Sequence, residues 1–320
     1  MKKYVIAVDL GGTNVKIAVV KDWKEIRGKT SITTGSFANK GALIDGIVDA
    51  ISSLIKGCGL TKRQIIGIGV GAPGLIDSAR GVIHNLVNIQ GFNDVPLKRI
   101  MEKKTAIKTY LDNDVNVMTL GELYYGAGRG VKNMVCITLG TGVGGGIVAD
   151  GKLYRGSTLS AGEIGHMPLN EKGPRCNCGG MACMEKSVGN QYITRLALRK
   201  IRGGRRTAIM DMVNGDVAKI TPEVISRAAQ RGDALARSIW AEVGSHLGVT
   251  LAGVVNLLNP ERIVIGGGVA GAGQFLFDAV RATVRKRAMK VPADRVRIVK
   301  AKLGQDAGLI GAAVLVRLAQ

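Results

Sequence analysis

The stretch Leu111-Asp-Asn-Asp-Val-Asn116 lies between a β-rich run, Thr105 to Leu111, and a helical run from Val115 to about Tyr125. It therefore places two carboxylates and two carboxamides at a strand end and a helix start. A helix N-terminus carries unpaired N–H groups and a partial positive charge, which favour an ionised carboxylate there. Asp and Asn are also ordinary N-cap residues, so the stretch alone predicts only a capped helix.

Three glycine-rich turns follow apolar runs that are typical of buried strands, and two of these turns flank the acidic stretch. They read Asp9-Leu-Gly-Gly-Thr-Asn14, Thr138-Leu-Gly-Thr-Gly-Val-Gly-Gly-Gly146 and Ile265-Gly-Gly-Gly268. The runs into the first two turns can be aligned, which indicates a weak internal repeat. Strands and helices alternate around these turns, so the sequence predicts an α/β fold, most simply two similar domains around a cleft.

The composition is that of a globular protein of two domains. The chain has 320 residues, of which 46% are hydrophobic and 22% charged. We find no stretch with the apolar length of a membrane span. The N-terminal apolar run reads as a strand, and Asp9 interrupts it too early for a signal peptide. We therefore expect a cytoplasmic protein without a membrane partner.

The formal net charge is +21, which raises the question of a polyanionic partner. The aromatic content of 4% and the absence of a nucleic-acid-binding motif favour a solvated basic surface instead. A role of this surface in attracting anionic substrates stays open. The densest basic cluster consists of Arg195, Arg199, Lys200, Arg202, Arg205 and Arg206.

The glycine turns predict phosphate binding. Glycines let backbone N–H groups approach phosphate oxygens closely, Thr13 and Thr141 add hydroxyl donors, and Asp9 is placed to hold Mg²⁺ beside the phosphates. Two turns also match the G-x-G-x-x-G spacing of dinucleotide sites. The turn from Gly140 returns as a hairpin, which counts against that alternative, whereas the turn from Gly266 lies between a strand and a helix and leaves an NAD(P) site open. The predicted phosphate-binding residues are Asp9, Gly11, Gly12, Thr13, Asn14, Gly140, Thr141, Gly142, Gly266, Gly267 and Gly268.

Three cysteines lie within eight residues, at Cys176, Cys178 and Cys183, and His166 lies ten residues upstream. One His and three Cys form a closed tetrahedral zinc set, and close thiols in a cytoplasmic chain indicate a metal rather than a disulfide. Four protein ligands leave no open position, so we expect a structural Zn²⁺ that fixes a loop over residues 162–185.

These motifs together resemble the ROK family of sugar kinases, and within it the chain looks most like the glucokinases. The resemblance covers Tyr4 to about Ala313. It is carried by the glycine turns, Gly71-Ala-Pro-Gly74, Asp112-Asn-Asp-Val-Asn116, Gly162-Glu-Ile-Gly-His166, the cysteine motif followed by Met184-Glu185, and Asp306-Ala-Gly-Leu-Ile-Gly-Ala-Ala313.

The resemblance implies an actin-like ATPase (ribonuclease H-like) fold and transfer of the γ-phosphoryl group of Mg·ATP to the 6-hydroxyl of a hexose. It gives Asp114 the role of catalytic base. The sugar would be bound by Gly74, Asn88, Asn113, Asp114, Glu163, His166 and Glu185. The segment Val87-Asn-Ile-Gln-Gly-Phe92 departs from the family pattern, which leaves the preferred hexose open. Ala182 replaces a usual Gly in the cysteine motif, which we expect to be harmless.

The implied domains are residues 1–113 with 306–320, and residues 114–305. The family suggests a homodimer or homotetramer. Some members are transcriptional repressors with an N-terminal DNA-binding domain, for which we expect no room before Asp9. The alternatives left open are another acceptor such as mannose, fructose or N-acetylmannosamine, polyphosphate as donor, and a non-catalytic sugar sensor.

Overall fold

The structure is a computed structural model that describes residues 3–86, 92–204 and 206–320. The strands are β1 Tyr4–Leu10, β2 Asn14–Lys21, β3 Glu25–Thr33, β4 Ile65–Ala72, β5 Leu75–Asp77, β6 Val82–Asn85, β7 Asn93–Val95, β8 Thr109–Asn113, β9 Met134–Leu139, β10 Val143–Ala149, β11 Lys152–Tyr154, β12 Arg262–Gly266 and β13 Arg297–Lys300. The helices are α1 Lys40–Gly57, α2 Leu97–Thr105, α3 Asp114–Tyr125, α4 Glu185–Val188, α5 Asn190–Arg202, α6 Ala208–Met212, α7 Pro222–Gln230, α8 Ala234–Leu258, α9 Gln274–Arg287, α10 Lys290–Arg295 and α11 Ala307–Leu318.

The chain divides into two compact units. The first unit runs to Gly130 and includes Leu153–Ala161 and Lys302–Gln320, and the second comprises Val131–Lys152 and Gly162–Ala301. The predicted domain division between residues 113 and 114 stays a prediction. The contacts group α3 with the first unit, so the compact units end later in the chain than that division does.

The two five-stranded sheets repeat one strand order, β3-β2-β1-β4-β8 in the first sheet and β11-β10-β9-β12-β13 in the second. In each, an antiparallel hairpin is followed by parallel neighbours: β1 pairs with β2 and β4, and β9 pairs with β10 and β12. This confirms the internal repeat that the sequence predicts. Each repeat begins with a strand that runs into a glycine turn, so the turns occupy equivalent places in the two sheets.

The first sheet is covered on both faces. On one face α1 and α2 pack against the strands around Ile6 and Ile68, and on the other face α3 and α11 pack against Val5 and Ala7. The helix α11 lies directly on β4, because a Cβ on Gly69 would meet the carbonyl oxygen of Ala312 at 2.0 Å. This contact fixes the N-terminal turn of α11 beside the end of β1.

The predicted β run from Thr105 to Leu111 is wrong over its first half. Thr105 is the last residue of α2, where its hydroxyl donates to the carbonyl of Met101 at 2.7 Å. Leu97, Met101 and Thr105 form the buried face of α2 at helical spacing, and this packing outweighs the β preference of Thr. Ala106 ends the helix with a left-handed φ of 58°, and β8 begins only at Thr109.

One helix among the described residues, α8, is long and apolar enough to cross a membrane, contrary to the expectation from the sequence. Half of its most apolar window is buried inside the structure. Trp240, Leu247 and Leu251 of this helix are fully buried in the hydrophobic core of the second unit. Packing as a core helix therefore accounts for the apolar composition of α8.

Candidate functional site

The first glycine turn joins β1 to β2, and part of its backbone is accessible to solvent. The Gly11 N–H donates to the carbonyl of Asn14 at 3.0 Å, and a Cβ at Gly11 would lie 2.7 Å from that oxygen. Thr34 supports the turn from behind, since its hydroxyl donates to the carbonyl of Gly11 at 3.0 Å. Gly12, Thr13 and Asn14 are exposed. The turn therefore presents accessible backbone and a hydroxyl, as phosphate binding requires.

Asp9 lies at the end of β1, directly before this turn. Burial raises the pKa of the Asp9 carboxyl, and the ammonium of Lys16, its partner in the β1–β2 register, acts in the opposite direction. The first turn of α11 closes over this carboxylate, because a Cβ on Gly308 would lie 3.0 Å from both Cγ and Oδ2 of Asp9. A poorly solvated carboxylate directly before an accessible glycine turn suits a divalent cation, whose charge offsets the lost solvation.

Asn113 and Asp114 form the junction of β8 and α3, as the sequence predicts. Asn113 is the N-cap: its Oδ1 accepts the N–H groups of Val115 and Asn116 at 2.9 and 3.3 Å. Asp114 is the first helical residue, and its Oδ1 accepts the Val115 N–H at 2.9 Å. The carboxylate of Asp114 thus lies at the N-terminus of α3, the positive end of the helix dipole.

The same edge of the first sheet carries Asp9 and the β8–α3 junction. Asp9 pairs with Gly71 of β4, and Gly71 pairs with Asp112 of β8, at the carboxyl ends of three parallel strands. Neighbouring strands are about 4.8 Å apart, so the backbones at Asp9 and Asp112 are separated by about 10 Å. Ligands of α/β sheets bind at this edge.

Gly74 joins this group through its backbone. Its carbonyl accepts the Asn113 Nδ2 at 3.1 Å. Its φ of 89° lies in the left-handed region, and a Cβ there would meet the carbonyl oxygen of Asn85 at 2.0 Å. Only glycine therefore fits this position, and Gly74 orients the carboxamide of Asn113.

The second glycine turn joins β9 to β10 and is braced by Glu185 and α5. The Gly140 N–H donates to the carbonyl of Gly142 at 3.0 Å, and the Asn190 N–H donates to the carbonyl of Gly140 at 3.0 Å. Glu185 Oε2 accepts the Val143 N–H at 2.9 Å and would lie 2.8 Å from a Cβ on Gly142. Glu185 therefore lies against this turn as well as near the cysteine cluster, a contact that the sequence did not predict.

The third glycine turn lies beside the second. Gly266 at the end of β12 pairs with Thr138 of β9, so both turns leave the same edge of the second sheet. Gly267 has a φ of 83°, and a Cβ there would meet the carbonyl oxygen of Leu139 at 2.2 Å. No contact limits a side chain at Gly268. The two turns together form one glycine-lined edge.

The loop with Glu163 and His166 packs directly on β10. A Cβ on Gly162 would meet the carbonyl oxygen of Gly145 at 2.5 Å, and one on Gly165 would meet that of Val143 at 2.3 Å. Glu163 is exposed, and its Oε2 lies 3.7 Å from the Nε2 of His166. The other ring nitrogen of His166, Nδ1, lies 3.7 Å from the Sγ of Cys176.

The cysteine cluster has the geometry of a tetrahedral metal site. One ligand atom from each of His166, Cys176, Cys178 and Cys183 lies within 4.8 Å of the others. The Sγ atoms of Cys178 and Cys183 are 3.6 Å apart, whereas zinc–sulfur bonds of about 2.3 Å in a tetrahedron give about 3.8 Å. Burial raises the pKa of the Cys183 thiol to about 12, so a cation is needed to hold it as thiolate. The four side chains could bind a metal and fit Zn²⁺.

Ala182, beside the cluster, has a left-handed φ of 54°. An L-residue with a Cβ is disfavoured there by roughly 1–2 kcal/mol. The replacement of glycine at this position therefore imposes backbone strain on the loop.

A cavity of about 580 Å³ lies next to the second glycine turn, because its lining includes Asn190, which donates to Gly140. It is open to solvent, and its lining surface is mostly apolar. The lining residues are Asn190, Gln191, Thr194, Arg195, Thr221 and Pro222.

Of the predicted site residues, Asn88 lies outside the described residues. The structure adds three residues without a predicted role: Lys16 and Gly308 around Asp9, and Arg155, which binds Asp112. No sequence signal indicates Arg155, since its partner is 43 residues away. Gly308 lies within the matched segment 306–313, but its contact with Asp9 depends on how α11 packs.

Comparison with known proteins identifies the family. The ROK family model matches residues 5–319. A glucokinase of Halalkalibacterium halodurans is 39% identical over 317 residues, which are 98% of this chain and 95% of that protein. The structure of a ROK family glucokinase from Streptomyces griseus in complex with glucose and AMPPNP has a TM-score of 0.82 at 32% identity, covering 98% of this chain and 99% of that chain.

A regulator is also among the relatives. A xylose repressor of Caldicellulosiruptor bescii is 28% identical over 312 residues, which are 98% of this chain and 77% of the repressor. Kinases and regulators are therefore both among its relatives, and in sequence identity the Halalkalibacterium glucokinase is the more similar of the two proteins compared.

These matches confirm the predicted actin-like ATPase fold class and the predicted resemblance to glucokinases. With a family match over nearly the whole length and a relative well above 30% identity, the chain belongs to the ROK family.

Proposed function

We propose that this chain transfers the γ-phosphoryl group of ATP to the 6-hydroxyl of a hexose, with glucose as acceptor and glucose 6-phosphate as product. Two observations support the proposal: the chain matches, over 98% of its length, a ROK glucokinase solved with glucose and AMPPNP, and it has Asp114 at the start of a helix. Phosphoryl transfer depends mainly on positioning and charge stabilisation, which the glycine turns and carboxylates supply.

The donor is held by the glycine turns. Backbone N–H groups of the turns at Gly11–Asn14 and Gly140–Gly142 bind the phosphate oxygens, helped by the hydroxyls of Thr13 and Thr141. The turn Gly266–Gly268 and the neighbouring cavity next to Asn190 accept the nucleoside. Asp9 would hold Mg²⁺, which when bound would supply positive charge beside the phosphates.

The acceptor is activated by Asp114. Its carboxylate accepts the proton of the 6-hydroxyl as that oxygen attacks the γ-phosphorus, while the bond from this phosphorus to the β–γ bridging oxygen breaks and ADP leaves. Asn113, itself fixed by Gly74, orients the sugar. Asn88 contributes a further amide, and Glu163, His166 and Glu185 bind the remaining hydroxyls.

The cysteine cluster with His166 would hold a structural Zn²⁺. When bound, the ion would fix the 162–185 loop through its four protein ligands. Because His166 directs Nδ1 to the cluster, its Nε2 is left to face Glu163 and the sugar. Removing the metal would therefore weaken sugar binding as well as stability.

Three further proposals follow from the family and the sequence. The two domains are residues 1–113 with 306–320, and residues 114–305. The protein acts in the cytoplasm. It assembles as a homodimer or homotetramer, which sedimentation velocity measures directly.

The test is a panel of donors and acceptors with the purified protein. Mg·ATP and polyphosphate are each offered with glucose, mannose, fructose and N-acetylmannosamine, and sugar phosphate is quantified. We expect glucose with ATP to give the highest kcat/KM. Turnover with polyphosphate but not with ATP would show that polyphosphate, rather than ATP, is the phosphoryl donor. Sugar binding without turnover would favour the regulator, and nicotinamide reduction without coupling enzymes would favour a dehydrogenase.

A further inference from the structure

The carboxylate of Asp112, two residues before Asp114, is buried and fully hydrogen-bonded. Its side chain is 2% exposed. Oδ1 accepts the Asn113 N–H at 2.8 Å and the Asn116 Nδ2 at 3.0 Å. Oδ2 accepts Nε and Nη2 of Arg155 at 2.9 and 2.6 Å. Asp112 thus connects both ends of the turn that presents Asn113 and Asp114 to a single arginine.

Arg155 comes from a short segment, Leu153–Ala161, that belongs to the first unit although the chain before and after it belongs to the second. The segment closes on itself: the Ala161 N–H donates to the carbonyl of Arg155 at 3.0 Å. Gly156 allows this closure with a φ of 72°. Gly162 and Glu163 follow Ala161 directly in the chain.

We propose that Arg155 is a positioning residue for phosphoryl transfer, acting through its buried ion pair with Asp112. The proposal rests on the function proposed above. The pair holds the Asn113–Asp114 turn in its capped form and attaches to it the segment that leads into the sugar-binding loop at Glu163. One contact therefore fixes the point from which the base acts.

The Arg155–Asp112 ion pair can control the position of the Asn113–Asp114 turn because the Asp112 carboxylate is buried. A buried carboxylate that loses the cation paired with it keeps a large desolvation penalty, so it recruits other donors or water. The nearest donors are the Asn113 N–H and the Asn116 amide, both of which define the turn. Asn116 already has one unsatisfied polar atom, because its Oδ1 is buried and lacks a hydrogen-bond partner among the described residues. Losing its hydrogen bond to Asp112 would leave a second one. Removing the guanidinium would therefore shift the turn with Asp114 rather than Asp112 alone.

The test compares Arg155→Met and Arg155→Lys with a matched control, Arg317→Met. Arg317 donates to the hydroxyl of Tyr125, at the other end of α3 in the same unit. Arg155→Met should lower kcat about 100-fold, as displacement of a reacting group by roughly 1 Å does, and raise KM for glucose. Arg155→Lys retains the charge and should recover part of kcat. KM for ATP should stay within about twofold, since the glycine turns are untouched.

A double variant separates positioning from general damage. Adding Asp112→Asn to Arg155→Met removes the uncompensated charge while keeping an acceptor for the Asn113 N–H, so kcat should rise above that of Arg155→Met alone. Hydrogen exchange over residues 111–116 should quicken in Arg155→Met and not in Arg317→Met, measured on folded protein.

The outcomes are distinct. A wild-type protein that phosphorylates no sugar overturns the proposed function itself. An active wild type with Arg155→Met kinetics like those of Arg317→Met, or with unchanged exchange over 111–116, overturns the role of Arg155. An equal rise in KM for ATP and in KM for glucose also overturns it, because that pattern indicates a general loss of structure.

Discussion

Gly308→Ala probes the crowding around Asp9. The backbone of Gly308 is not left-handed, so alanine fits its helical conformation, and glycine-to-alanine changes in helices usually stabilise by about 0.5–1 kcal/mol. Here the new Cβ would lie 3.0 Å from both Cγ and Oδ2 of Asp9. Ordinary contacts begin near 3.5 Å, so the carboxylate must move by about 0.5 Å.

A shift of this size matters for a magnesium ligand more than for the fold. Mg²⁺ demands near-ideal octahedral geometry, and functional groups must be held within about 0.5 Å. We therefore expect kcat/KM for Mg·ATP to fall about 10–100-fold, which is ~1.4–2.7 kcal/mol of transition-state stabilisation. The free energy of unfolding should change by less than about 1 kcal/mol, because helix propensity offsets the crowding.

The assay is coupled glucose phosphorylation at saturating glucose with varied Mg·ATP, combined with thermal unfolding. The matched control is Gly253→Ala in α8, an exposed helix position whose Cβ would make only an ordinary contact at 3.9 Å. The control should be slightly stabilised and fully active. Gly308→Ala kinetics equal to those of the control would refute the placement of Mg²⁺ on Asp9.

Three further predictions concern charge and metal. Lys16→Met removes the cation that lowers the pKa of Asp9, so this pKa rises further and the acid limb of kcat/KM for Mg·ATP moves to higher pH; an unmoved limb in the pH profile contradicts this. Elemental analysis should find one zinc per chain without added metal, and Cys178→Ser should lower metal content, melting temperature and glucose affinity, which a fully active zinc-free preparation would disprove. Neutralising Arg202 and Arg206 should leave KM for Mg·ATP within about twofold at any salt concentration, because exposed charges are screened, and a steep salt-dependent loss would show that the basic surface gathers the donor.

The features that the sequence predicts well are local in the chain. Glycine turns, the N-cap at Asn113 and the spacing of the cysteines depend on residues a few positions apart, and the structure has each of them where the sequence indicates. The internal repeat is equally visible, because it is carried by two similar strand-and-turn segments. Local hydrogen bonding and burial therefore account for most of the fold class and for the general location of the candidate groups.

The features that the sequence does not reveal depend on tertiary packing. Arg155 meets Asp112 across 43 residues, and Gly308 meets Asp9 only because α11 folds back onto the first sheet. Thr105 shows the same effect, since the buried face of α2 overrides its β preference. Such contacts leave no mark in spacing or composition, and they govern how the site residues are oriented.

The most direct measurement of the proposed reaction is glucose 6-phosphate formation by Asp114→Asn, with glucose binding followed by calorimetry on the same protein. Asparagine keeps an oxygen for the Val115 N–H, which donates to Asp114 at 2.9 Å, so the start of α3 should be preserved. Loss of the base should lower kcat by about 100- to 10,000-fold while the glucose Kd stays within about threefold. Activity within about tenfold of wild type, a barrier change of only ~1.4 kcal/mol, would contradict the assignment of Asp114 as the base.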